Sequence, residues 1–451
     1  MSTSHDEANA CKSHVDIPCA PARSSSKQNL LARLGPGLIT GGSDDDPSGI
    51  ATYSQAGAAF GYGMLWTILL SLPLMVAIQE ISARIGRISG HGIAGNIRRN
   101  YPAWLLYPIV VLLMIANTIN VGADIGAMGD AAKLLVGGNA LIYSALFAVL
   151  IVLVEIFGSY QRCCTILKYL CLVLLSYILT SFFTHVSWSK ALHSLFIPHL
   201  EKSSNYWATF VAVFGTTISP YLFFWQAAQE TEEIHTHDEQ HALKKAPEQA
   251  PEQLSRIRFD TIVGMSVSNV VAFFIIVAAA ATLHVRGVTQ VDTSAQAADA
   301  LRPIAGKAAF ILFAVGIIGT GLLAVPVLAG SAAYAMGEAF HWPTGMDRKP
   351  LEAKGFYAVL SLSTLLGLAI NFPAVQHVTH LSPIQALFWS AVINGVTAVP
   401  IMVIIMLMAG SKKVMGEFER TSKPLQALGW LATLVMAAAA VLMFVTIKSS
   451  S

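Results

Sequence analysis

Apolar runs long enough to cross a bilayer recur eleven times along this chain, at about 34–57, 64–85, 104–130, 139–159, 163–185, 206–227, 259–284, 308–338, 355–372, 382–409 and 427–447. A helix of about 20 residues covers a hydrocarbon core of roughly 30 Å. Lipid offers no partner to a backbone amide, so runs of this length and number must be helices that satisfy their own hydrogen bonds. Composition agrees. Of the 451 residues, 54% are hydrophobic and 12% charged, against about 25% charged in soluble domains. The expected fold class is an all-α polytopic membrane protein, with the lipid bilayer as its surroundings.

Lys and Arg collect on cytoplasmic segments. With the N-terminus inside, about three quarters of the 28 Lys and Arg residues fall on the cytoplasmic side. The expected topology is therefore a cytoplasmic N-terminus and an outer C-terminus, and the expected location is the plasma (inner) membrane. The expected boundaries are a polar tail at 1–32, a membrane domain at 33–447 and an outer tail at 448–451. The first tail carries Asp6, Glu7, Lys12, Asp16, Arg23 and Lys27 without an apolar core, so it does not read as a signal peptide. Cys11, Cys19, Cys163, Cys164 and Cys171 show no disulfide framework. Nothing supports nucleic-acid binding. No nucleophile, redox motif or nucleotide loop argues for an enzyme, and no cofactor is implied.

Two spans are interrupted. The first contains Gly41-Gly42-Ser43-Asp44-Asp45-Asp46-Pro47-Ser48-Gly49, and the sixth contains Gly215-Thr216-Thr217-Ile218-Ser219-Pro220-Tyr221. Proline removes a backbone donor and glycine is a poor helix former, so neither span continues as one helix. Broken helices at corresponding positions, first and sixth of ten, point to two inverted five-helix repeats with a binding site at their interface. The repeats run approximately over 33–185 and 206–409, and the eleventh helix is an appendage. Unwound backbone survives in a bilayer only when buried in protein or lining a wet cavity. Pro220 alone also fits a packing kink, but a pair of breaks carrying three aspartates fits a cation site.

Gly35-Pro36-Gly37 ahead of Asp46-Pro47, Ser219-Pro220-Tyr221 in the sixth span, and Lys413-Val414-Met415-Gly416-Glu417-Phe418 after the tenth resemble the NRAMP family of divalent-metal transporters. The resemblance runs over roughly residues 30 to 447. It implies a LeuT-type fold, alternating access and a transported divalent cation.

The departures from the family pattern carry the specificity. Transition-metal members have Asp-Pro-Gly-Asn in the first helix and Met-Pro-His in the sixth, where this chain has Asp46-Pro47-Ser48-Gly49 and Ser219-Pro220-Tyr221. Asp46 is retained, Gly49 replaces the amide and Ser219 the thioether. A thioether suits softer metals, whereas carboxylate, hydroxyl, carbonyl and water suit Mg²⁺, Ca²⁺ or Mn²⁺. The smaller residues are expected to leave room for a hydrated ion, and Mg²⁺ does keep several waters. The expected cation set is Asp46, Gly49, Ser219, Tyr221 and Thr216, with Asp44 and Asp45 adding charge around it. These substitutions are similar to those of the NRAMP-related magnesium transporters, and they favour Mg²⁺, with Mn²⁺ as a companion.

Proton-coupled members place an Asp and a Glu three residues apart in the third span, where this chain has Asn117 and Asn120. An amide does not carry protons at neutral pH, and the sixth-helix histidine is replaced by Tyr221. Uncoupled transport is therefore expected. Asn117 and Asn120 also suit interhelical hydrogen bonding. Asp124 shares their helix face and fits either the outer vestibule or headgroup water. Gln226 and Glu230 on the inner half of the sixth span fit a cation exit path, or a solvated helix end. Glu80 and Arg84 are spaced for a local ion pair. The rival readings are a proton-coupled Mn²⁺/Fe²⁺ importer and a LeuT-fold organic-solute symporter, although three aspartates would repel a substrate carboxylate.

Overall fold

A computed structural model describes residues 36–157, 175–237, 239–375, 381–420 and 423–450 of the chain. The tail at 1–32, Gly35 and the first part of the expected fifth span with its three cysteines lie outside the described residues.

The two prolines cut the first and sixth spans as their chemistry requires. Helix α1 (Pro36–Asp44) stops, and α2 (Pro47–Phe60) starts after Asp46. Pro47 occupies the first turn, where its missing N–H has no intrahelical role. In the sixth span α9 (Ser204–Thr217) ends and α10 (Pro220–Thr236) begins at Pro220. Between the breaks run α3 (Leu65–Ser89), the short α4 (Ile93–Asn100), α5 (Ala103–Val136), α6 (Ala140–Phe157), α7 (Leu175–Phe183) and α8 (Trp188–Phe196). After them follow α11 (Ala250–Thr282), α12 (Ala309–Phe340), α13 (Lys354–Ile370), α14 (Pro383–Ala409) and α15 (Lys423–Ser450).

Within the described residues every expected span is found as helix, the first and sixth in two pieces. Among the described residues, eight helical segments are long and apolar enough to cross a membrane. That number is below eleven for identifiable reasons. A short 3-10 turn at Gly61–Met64 runs α2 and α3 together as one 43-residue segment, the described helix of the fifth span, α7, has only 9 residues, and the ninth span is 17 residues long. Apolar side chains point outward on the peripheral helices, such as Leu146, Leu153 and Phe157 on α6 and Leu434, Val441 and Phe444 on α15. In lipid these carry no penalty.

Close helix approach holds the broken segments in place. A Cβ on Gly41 of α1 would sit 2.4 Å from the Gly264 carbonyl of α11, and one on Gly215 of α9 would sit 2.0 Å from the Ala391 carbonyl of α14. Small residues permit such contacts, which drive packing where lipid removes the hydrophobic contrast. The amide of Gly37 donates to Asp260 Oδ2 of α11 at 2.6 Å, tying down the start of α1. Gly215→Val is expected to abolish a monodisperse peak on fluorescence-detected size exclusion, because the clash is with backbone and overpacking costs about 1–3 kcal/mol even where side chains can shift. A wild-type profile and melting temperature would remove this contact from the account.

Candidate cation site at the two helix breaks

Asp46 is the hinge point of the first break. Its backbone is extended (φ −65°, ψ 170°), and its Oδ1 accepts from the Gly49 amide at 2.7 Å and from Ser48 Oγ at 2.6 Å. The side chain thus caps α2, satisfying an amide the helix leaves without a partner. Oδ2 accepts from Asn120 Nδ2 at 3.2 Å, and Asn120 Oδ1 accepts from Ser390 Oγ of α14 at 2.7 Å. The carboxylate is therefore surrounded by donors that do not titrate near neutral pH.

The second break meets the first. A Cβ on Gly49 would lie 3.1 Å from Thr216 Oγ1, 3.3 Å from the Asp44 carbonyl oxygen and 3.3 Å from the Tyr53 ring. Tyr221 donates from its phenol to the Ser43 carbonyl at 2.9 Å, joining α10 to the end of α1. Ser219 Oγ is within 2.6 Å of the Gly215 carbonyl and 2.9 Å of the Thr216 carbonyl, so it caps the open end of α9. Asp46, Gly49, Thr216, Ser219 and Tyr221 are thus brought together. The ends of α1 and α9 carry carbonyl partial negative charge, which favours a cation.

Asp44 and Asp45 turn to the seventh span. Ser268 Oγ lies 2.5 Å from Asp44 Oδ2 and 3.1 Å from Asp45 Oδ1. One hydroxyl proton serves one of them at a time, and Asp44 Oδ1 has no partner among the described residues. Asn117 also leaves the site, donating to the Leu328 carbonyl at 2.9 Å and to Ser331 Oγ at 2.7 Å on α12.

The expectation of room is not met. Asp46 and Ser219 are each 1% exposed, and the space beside Gly49 is taken by Thr216, Asp44 and Tyr53. The removed side-chain volume has been filled by neighbours, as close packing demands. Among the described residues no group of three or more His, Cys, Asp or Glu side chains is placed to hold a metal. A coordination shell here would therefore draw on hydroxyl and carbonyl oxygens and water beside the carboxylate. A sulfur also stands nearby, at a position no motif marks. A Cβ on Gly321 would be 2.5 Å from Met128 Sδ and 3.4 Å from Pro47 Cγ, so this thioether lies beside the first break.

Asp124 is fully buried, which rules out headgroup water. The inner half of α10 differs from a solvated end as well. Gln226 Oε1 accepts from Gln79 Nε2 at 2.5 Å, and its Nε2 donates to Thr261 Oγ1 at 3.1 Å. Glu230, with no exposed surface on its side chain, pairs with Arg256 at 2.6 Å. Arg256 also reaches Glu233 at 2.9 Å, and Arg87 lies 3.8 Å from Glu233. These charges bridge α3, α10 and α11. Further along α10, a cavity of about 260 Å³ is lined by Glu232, His235, Tyr334, Glu338, Asp347 and other residues. Twelve residues separate Glu232 from Pro220, about 18 Å of helix, so this cavity is distinct from the breaks. Glu80 and Arg84 form the expected local pair at 2.5 Å.

Sequence reasoning missed Ser268, Ser390, Arg256 and Asn394. All are polar side chains within or at the ends of apolar spans, a signal of functional or structural pairing. Asn394, one turn from Ser390 on α14, has neither amide atom partnered among the described residues.

The profile described as natural resistance-associated macrophage protein-like matches residues 37–446. The chain belongs to that family. NRAMP proteins are membrane transporters that move divalent metal ions as substrates, and they need no cofactor. Structural likeness agrees with the fold. A manganese transporter of Eremococcus coleocola, crystallised with an aromatic bis-isothiourea substituted compound, shares 18% identity over 95% of this chain and 89% of its own, with a TM-score of 0.71. A Na⁺-coupled sialic acid symporter in a substrate-bound outward-open state gives 10% identity, 92% and 89% coverage and a TM-score of 0.57. This NRAMP chain accordingly has the LeuT-type arrangement, with two inverted five-helix repeats, an eleventh helix and breaks in the first and sixth.

Proposed function

We propose that this transporter carries Mg²⁺, with Mn²⁺ as a second substrate, by alternating access and without moving protons. The observation that carries this reading is the amide of Asn120 donating to Asp46. At a position where proton-coupled members of the family place a carboxylic acid, this chain bonds its central ligand through a group that neither takes up nor releases a proton. The oxygen-rich surroundings support a hard ion. Asp46, Thr216 and the carbonyls at the ends of α1 and α9 are oxygen donors, and Mg²⁺ binds through one or two carboxylates while retaining water. The bilayer is the plasma (inner) membrane, with the N-terminus cytoplasmic. An inside-negative potential then drives import, worth about 2.3 kcal/mol per charge per 100 mV.

Proteoliposome flux of Mg²⁺, Mn²⁺ and Ca²⁺ with internal pH recorded in parallel tests the reading. Mg²⁺ is expected to move, to compete with Mn²⁺, and to leave internal pH unchanged. Failure of every divalent ion to move sinks the proposal, and ion-driven acidification sinks its uncoupled part. The rival Mn²⁺/Fe²⁺ importer draws on one observation, the Met128 thioether beside Pro47. Met128→Leu is expected to leave Mg²⁺ flux within about twofold of wild type, because a thioether contributes little to a hard ion. Selective loss of Mn²⁺ flux in that variant would favour the rival.

A further inference from the structure

We infer that Asp124 is the second carboxylate of the cation site, facing the first break from the third span. This rests on the divalent-cation reading above and adds a binding residue to it. Asn120, Asp124 and Met128 are spaced four apart on α5 and so share one helix face. Asn120 bonds the Asp46 carboxylate, and Met128 Sδ lies beside Pro47, the residue that follows Asp46. Asp124 stands between them, and it lies within electrostatic reach of Asp46, as does the Tyr221 phenol that it also reaches.

The state of its carboxylate sets Asp124 apart. It has no exposed surface, and neither oxygen has a hydrogen-bond partner among the described residues. Other buried acids at the helix interfaces are engaged: Asp44 and Asp45 by Ser268, Glu230 by Arg256, Asp260 by the Gly37 amide, and Glu338 by the Gly92 and Gly95 amides. Glu155 is also unpartnered, but it adjoins residues 158–174, which are outside the described set. A carboxylate buried without a partner is costly unless an opposite charge arrives. Two carboxylates facing one point match a divalent charge and disfavour a monovalent ion, which would leave one negative charge uncompensated.

The test uses the purified full-length protein and its Asp124→Asn and Asp124→Glu variants. Thermal melting is recorded in EDTA and then across MgCl₂ and MnCl₂ concentrations, and proteoliposome flux is measured alongside. In EDTA, Asp124→Asn is expected to melt at or above wild type, since it removes an unpartnered charge and breaks no hydrogen bond. Mg²⁺ should raise the melting temperature of wild type and leave the variant unshifted. The Mg²⁺ concentration for half-maximal flux should rise at least tenfold in Asp124→Asn and less in Asp124→Glu.

A lower melting temperature for Asp124→Asn in EDTA would make the residue structural and overturn the inference. So would an unchanged Mg²⁺ dependence. Wild-type acidification that disappears in Asp124→Asn at unchanged Mg²⁺ dependence would make it a proton carrier instead. If wild type moves no divalent ion, the transport reading fails by itself. The Mg²⁺-induced melting shift, and its loss in Asp124→Asn, then still decides whether Asp124 binds the cation.

Discussion

Asp46→Ala is expected to reduce divalent-cation flux at least 100-fold, to the background of empty liposomes. The carboxylate has two roles, as a charge at the meeting point of the breaks and as the cap of α2 through Gly49. The Ala variant loses both, and the cap alone is worth about 1 kcal/mol of stability. Asp46→Asn separates the roles. An asparagine caps a helix about as well as an aspartate, so this variant is expected to keep its melting temperature within a few degrees while its flux remains absent. Proteoliposome flux and thermal melting read the two effects side by side. Near-wild-type transport in Asp46→Asn would remove the charge from the mechanism.

The second large effect is expected at the ion-pair cluster of Glu230, Glu233, Arg87 and Arg256. Arg256→Ala leaves Glu230 buried without its direct ion-pair partner, which lies at 2.6 Å, and only the more distant Arg87 remains as a counter-charge. Removing one member of a buried pair costs about 3–5 kcal/mol. The protein can avoid that cost by hydrating Glu230, which requires the inner ends of α10 and α11 to separate. The variant should therefore melt several degrees lower and show greater accessibility at this end of α10, read by labelling a cysteine placed at Gln226. The double variant Glu230→Gln/Arg256→Gln has no unpaired charge and should recover most of the melting temperature. If Arg256→Ala labels and melts as wild type does, these ion pairs are not what holds α10 and α11 together at this end.

The architecture was legible because its signals are local. Apolar length identifies spans, and Pro47 and Pro220 mark the breaks through the donor each lacks and the fixed φ each imposes. Asp46 was legible for the same reason, since the capping residue sits immediately before the proline that starts the helix. The partners were not. Asn120 and Asn117 lie three residues apart on one helix, yet one bonds Asp46 and the other turns to Leu328 and Ser331. Only the placement of α12 and α14 separates them. Glu230 read as a solvated helix end because its cation, Arg256, is 26 residues away on another helix. The inference of a roomy site took residue volume as space, although neighbouring side chains close in wherever they can. Met128 escaped notice because a methionine in an apolar span gives no cue about which way its sulfur turns.

The bond from the Tyr221 phenol to the Ser43 carbonyl crosses between the two inverted halves. That carbonyl belongs to the open end of α1, where an incoming cation finds its partial negative charge. A carbonyl oxygen has two lone pairs, so a cation reaching Ser43 would share that oxygen with the phenol or take its place. In either case the charge would bear directly on a bond that spans the two halves.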